Sequence, residues 1–139
     1  MFYDFDVVVP AGTLESAPIE QELNLSYGVI HRVEVHFPAG CRGTVYLELL
    51  HRRHQIFPTL EDQAFHGDQF PIAFNDHYEL FEPPHTLVAR AYSPTANHNH
   101  TIMVRIGVLH PAYLAATGVA AALKQFIGTL IPKVIKRGK

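Results

Sequence analysis

Residues 100–109, HTIMVRIGVL, alternate from end to end: Ile102, Val104, Ile106 and Val108 interleave with Thr101, Met103 and Arg105. Successive side chains of an extended chain point to opposite faces, so this run predicts a strand with one buried and one exposed face. The same period recurs through most of the chain. Tyr3, Phe5, Val7 and Val9 alternate with Asp4 and Asp6, and Ile19, Leu23 and Leu25 with Glu20, Glu22 and Asn24. Val29, Val33, Val35 and Phe37 alternate with Arg32, Glu34 and His36. Val45, Leu47 and Leu49 oppose Tyr46 and Glu48, and Leu87, Ala89 and Ala91 oppose Thr86, Arg90 and Tyr92. Phe70–Phe74 and His77–Phe81 are shorter candidates.

Turn chemistry separates these runs: PAGT at 10–13, SYG at 26–28, PAGCRG at 38–43, HGD at 66–68, EPPH at 82–85 and SPTANHN at 93–99. Glycine supplies positive φ and proline fixes φ, so such clusters stop strands. About eight short strands with regular turns predict an all-β fold: an antiparallel β-sandwich of jelly-roll type over residues 1–110. Strand and helix do not alternate, which disfavours a Rossmann-type sheet. The longest stretch without a strand signal is 51–69, HRRHQIFPTLEDQAFHGDQ. Long loops in compact domains often carry function.

After Pro111 the period changes. Leu123, Phe126/Ile127, Leu130/Ile131 and Val134 recur at helical spacing, among five alanines between 115 and 122. This predicts a C-terminal apolar α-helix with a basic tail over residues 111–139. Residues 112–131 approach the length of a membrane span, roughly 20 residues. Lys124 within that stretch makes a helix docked on a partner the better reading.

A chain of 139 residues, 47% hydrophobic and 17% charged, has the size and composition of one soluble domain with one core. Its lone Cys41 forms no internal disulfide. The N-terminal MFYDFDVVVP lacks the basic start and continuous apolar run of a signal peptide, so function without export is expected. Residues 1–82 carry all 13 acids and four arginines, a net −9, whereas residues 83–139 carry seven bases and no acid, a net +7. Lys124, Lys133, Lys136, Arg137 and Lys139 form a tail of +5. Such a tail keeps an apolar helix soluble, pairs with an acidic neighbour, or meets nucleic acid or a lipid surface.

Ten histidines are the main candidates for chemistry. His98 and His100, if both lie on the strand, share a face with Cα atoms about 7 Å apart, a spacing that suits metal ligation. A cupin site would add a carboxylate a few residues on, but Thr101, Ile102, Met103, Val104 and Arg105 follow. No metal or other cofactor is expected. HRRH at 51–54 reads as a polar strand end. Arg52 and Arg53 repel a cation and suit a carboxylate or phosphate, foremost in an interface salt bridge. His31, on the apolar side of its strand, reads as a satisfied, partly buried imidazole.

Catalytic patterns are sparse. None of the three serines sits in a Gly-x-Ser-x-Gly turn, and no P-loop or dinucleotide fingerprint occurs. Cys41 in its tight loop reads as a small turn residue. Aromatics beside prolines, Phe57 in QIFPT and Phe81 in ELFEPP, are natural interface anchors, as are Leu123, Phe126, Ile127 and Leu130 on the helix. A non-enzymatic role is expected.

The runs VPAGT at 9–13, GVIHRVEVHFPAGCRGTVYLELLHRRHQIFP at 28–58 and YELFEPPHTLVARAYSPTANHNHTIMVRIGVL at 78–109 resemble small β-sandwich structural proteins of tailed phages and prophages. The resemblance covers residues 5–109. It implies a virion component, such as a head decoration or cement protein or a neck or tail part. Such a protein binds many copies of a capsid or tail protein, usually as a symmetric homo-oligomer. The alternatives are a β-sandwich module holding a sugar or small ligand, a metal-dependent enzyme using His98 and His100, and a tail that binds DNA or lipid.

Overall fold

The alternating runs form nine strands among the described residues. They are β1 (Phe2–Val9), β2 (Ile19–Asn24), β3 (Gly28–His36), β4 (Tyr46–His51), β5 (His54–Phe57), β6 (Phe65–His66), β7 (Pro71–Leu80), β8 (Thr86–Tyr92) and β9 (His100–Leu109). The structure, a computed structural model, describes residues 1–112. The helix and basic tail expected beyond Pro111, with Leu123, Lys124, Phe126, Ile127, Leu130, Lys133, Lys136, Arg137 and Lys139, lie outside the described residues. No helix among the described residues is long and apolar enough to cross a membrane. The chain divides into two units, Met1–Val108 and Leu109–Lys139, and the strands belong to the first except for Leu109, the last residue of β9.

The strands build two antiparallel sheets, ordered β1-β9-β3-β7 and β2-β8-β4-β5, with β6 also pairing β4. Four of the pairings are nested, and β4–β8 and β9–β3 join them into the two sheets. β4 pairs β5 across the shortest loop, β3 pairs β7 around them, β2 pairs β8 outside those, and β1 pairs β9 outermost. The connectivity is that of one long hairpin wound into two sheets, with Arg52 and Arg53 at its tip.

Both sheets feed one core. Val7, Val33, Val35, Ile102, Val104 and Ile106 of the first meet Leu23, Leu47, Leu49, Leu87 and Ala89 of the second. Each buried aliphatic side chain of this kind contributes about 1.5–3 kcal/mol. Ile102, Val104, Ile106 and Val108 are all fully buried, as the alternation of residues 100–109 requires.

Three local readings change. The 51–69 stretch is not strand-free: β5 and β6 both lie in it and extend the second sheet at β4. A register slip between Leu49 and Leu50 and a length of only two residues in β6 hide them from a period-two reading. The two short candidates at 70–81 are one strand, β7, whose alternation breaks where the register against β3 slips between Ile30 and Arg32. The same slip puts Ile30 in the core in place of His31. The half-buried His31 ring instead lies against Gly107 and packs edge-on to Phe2, ring centroids 5.8 Å apart. Glycine weakens a strand interior, and here close approach explains it: a Cβ on Gly107 would sit 2.7 Å from His31 Nε2.

One charge is buried on the outer face of the second sheet. Glu48 is 6% exposed, and Arg90, its partner across β4 and β8, donates to Glu48 Oε2 through Nε at 2.8 Å and Nη2 at 2.5 Å. Arg90→Leu would strand that carboxylate. It should cost about 2 kcal/mol, because solvent still reaches the site from the arginine side and softens the full penalty. Urea titration measures it, and a loss below 0.5 kcal/mol, on the order of an exposed pair, contradicts the assignment.

Burial first, then the ammonium of the chain terminus and Arg32, lowers the His31 pKa below its ordinary 6.5. The unfolded chain therefore binds this proton more readily than the folded one. The stabilising contribution is complete above pH 6.5 and is lost as pH falls below it. The urea midpoint should drop between pH 7 and pH 5, and His31→Gln should shrink that drop. An undiminished drop in the variant rules out His31 as its source.

Candidate functional site

β4 and β5 are joined by two residues, with His51 opposite His54. A two-residue hairpin that matches strand twist needs positive φ at both turn positions, normally filled by asparagine and glycine. Here Arg52 and Arg53 occupy them, with φ of 53° and 67°. A residue with a Cβ carries about 1–2 kcal/mol in this region. Arg52 Nη1 donates to Glu82 Oε2 at 3.0 Å and its Nη2 donates to the Pro83 carbonyl. Arg53 Nη1 donates to Glu20 Oε2 at 2.9 Å. These pairs are exposed, and such pairs contribute only about 0.2–1 kcal/mol each. Strain outweighs the contacts, so the turn holds two cations at a net cost to stability.

Behind the turn the polar groups are committed. His51, expected at a polar edge, is buried. Its Nε2 lies 3.0 Å from the Pro84 carbonyl and its Nδ1 2.8 Å from the Tyr78 hydroxyl. A carbonyl only accepts, so Nε2 carries the hydrogen and Nδ1 accepts from Tyr78. Burial raises the Tyr78 pKa, which keeps that hydroxyl a donor. The imidazole thereby ties the loop after β7 to the end of β4. On that loop Phe81 stacks on exposed Tyr27, centroids 5.1 Å apart, and His85 meets Tyr27 edge-on. Phe81, Arg52, His54 and Glu82 line a depression of about 350 Å³.

The fold thus gathers Arg52 and Phe81, 29 residues apart in sequence, at one end of the sheets. Arg53 turns away to β2. Phe57 is no interface anchor: it is 4% exposed and packs edge-on to Phe74 and Tyr78 in the core. Sequence reasoning missed Tyr27, whose signal was an aromatic inside the SYG turn, and Glu82.

His98 and His100 do not share a strand face. His98 is exposed in the loop before β9, and His100 is the first residue of β9, opposite Val9. Arg42 lies in the same depression. Among the described residues no group of three or more His, Cys, Asp or Glu side chains is placed to hold a metal ion. Cys41 beside them is fully buried, and burial, then Asp68, pushes its thiol pKa up from 9.0.

Comparison of the chain with protein-family models, curated proteins and solved structures returns no match.

Replacing Arg52 by Asn and Arg53 by Gly should raise stability by about 1 kcal/mol, because relieved strain exceeds the lost ion pairs. A fall in the denaturant midpoint contradicts the strain argument. Folded protein at pH 8 should resist iodoacetamide at Cys41, and the same protein in urea should be labelled. Equal labelling of the two states refutes the buried, proton-retaining thiol.

Proposed function

We propose that this chain is a non-enzymatic structural protein of a tailed-phage or prophage virion. In this reading it is a β-sandwich of jelly-roll type that binds capsid or tail proteins through the end bearing Arg52, Tyr27 and Phe81. The nested pairing supports the fold: eight strands, two in each nested pair, wind as one hairpin into facing four-stranded orders, with β6 an addition. The resemblance over residues 5–109 supports the virion context.

The observation that carries the binding role is the strained double-arginine turn beside a stacked aromatic pair. Arginine and tyrosine dominate the energetics of protein interfaces. A turn that sacrifices stability to hold two guanidinium groups is explained by what those groups contact. Both ring nitrogens of His51 are engaged within the fold, so this polar cluster shapes a rigid surface.

Shells and tails assembled without this protein, from the phage or prophage that encodes it, provide the test. The wild-type chain should cosediment with one of them, and the better-folded Arg52→Asn, Arg53→Gly variant should bind at least tenfold more weakly. Wild-type protein that stays in the supernatant with both would overturn the proposal.

A further inference from the structure

A third arginine holds a backbone conformation that its residue type disfavours. In the PAGCRG turn Thr44 N donates to the Cys41 carbonyl at 2.9 Å, with φ of 50° at Arg42 and 71° at Gly43 between them. Positive φ at both central positions is the signature of a type I′ turn, whose first central place normally takes asparagine or glycine. Arg52 and Arg53 share the conformation but reach Glu82 and Glu20. Arg42 is exposed, and its guanidinium has no ion pair or hydrogen bond among the described residues.

Arg42 lines a hollow of about 460 Å³ together with Thr95, Asn97, His98 and His100. All five side chains can donate hydrogen bonds. None of them is engaged in one among the described residues, and no acid of the described residues lines the hollow. Asp68, beside the same turn, is committed to the Gly40 amide, which donates to its Oδ1 at 2.8 Å.

The backbone around the hollow is pinned. Gly43 N donates to the Gly67 carbonyl at 3.1 Å, and Cys41 is fully buried. In the other loop, buried Ser93 donates through Oγ to the Pro10 carbonyl at 2.8 Å, and Asn99 Oδ1 accepts from Ala11 N at 2.8 Å. His100 Cε1 lies 3.8 Å from where a Cβ on Gly40 would stand, so the two loops meet. The frame is committed and the lining side chains are free, which keeps the ordering cost of binding low.

A guanidinium and two imidazoles without a carboxylate suit an anion. The arginine fork and the other four donors exceed the roughly four hydrogen bonds that a carboxylate accepts. A phosphate group offers more acceptor sites and matches the fork. We propose that this hollow binds a phosphate group, free or carried on a small molecule. The turn at Arg42 precedes β4, whereas the double-arginine turn follows it, so the site is separate from the proposed virion contact.

Titration of the isotope-labelled full-length chain, followed through its backbone amide resonances at constant ionic strength, tests the proposal. Inorganic phosphate should shift the amides of residues 40–44 and 95–100 saturably, with a dissociation constant of about 1 mM. Tighter binding of glycerol phosphate identifies a carried phosphate, and equal or weaker binding identifies the free ion. Acetate should leave those amides unmoved. Arg42→Asn suits the turn and removes the guanidinium, so it should melt no lower than wild type and bind phosphate about tenfold more weakly. His98→Ala with His100→Ala should weaken binding about threefold. Wild-type affinity in either variant, equal shifts with acetate, or no saturable shift with either phosphate would overturn the proposal. The Arg52→Asn, Arg53→Gly variant should keep its phosphate affinity, so this site and the virion contact fail separately.

Discussion

Neither sheet can bury its apolar face alone. β9 presents Ile102, Val104, Ile106 and Val108, and β4 presents Leu47 and Leu49, and each set leaves water only against the other sheet. This requirement fixes which side of every strand is polar. It therefore fixes what the outer faces carry: Glu48 with Arg90 on one, and Asp4, Arg105, Glu34 and Arg32 on the other. The surface features are the second half of the alternation that built the core.

The ends of the sheets obey a different rule. There the backbone must reverse, and its polar groups need partners. At the double-arginine end, side chains supply them: His51 accepts from Tyr78 and donates to Pro84, and Arg52 holds Glu82 and the Pro83 carbonyl. The result is a loop surface set by hydrogen bonds from a rigid sheet, a basis on which binding loops work well. On the outer face of the first sheet strand register sets charges opposite one another, Asp4 against Arg105.

Much of this architecture was legible in the sequence. The alternation in 2–9, 28–37, 86–92 and 100–109 marks strands because each has one face in the core. What escaped did so for physical reasons. β5 and β6 are too short and too bulged to show a period. The register slip at Ile30 reverses the side to which His31 belongs, and a bulge leaves no composition signal. The double-arginine turn lacks the asparagine and glycine that announce positive φ, so HRRH read as basic but not as a hairpin tip. Phe57 beside Pro58 looked like a loop anchor, yet β5 carries it into the core. Asp4 and Arg105 are 101 residues apart, and only the pairing of first and last strands brings them together.

The nested pairing also sets a timetable. Closing a loop costs entropy that grows with its length, so the tip is the least expensive place to begin, and each pair formed shortens the loop for the next. Phe5 and Val104, partners in the outermost pair, have the longest loop to close. All-β chains with such distant partners fold in milliseconds to seconds. Here the first closure passes through a turn holding about 1–2 kcal/mol of strain per residue, and each 1.4 kcal/mol present at the barrier slows that step about tenfold. The two backbone angles that set Arg52 and Arg53 at the hairpin tip therefore also bear on how quickly the chain reaches its folded form.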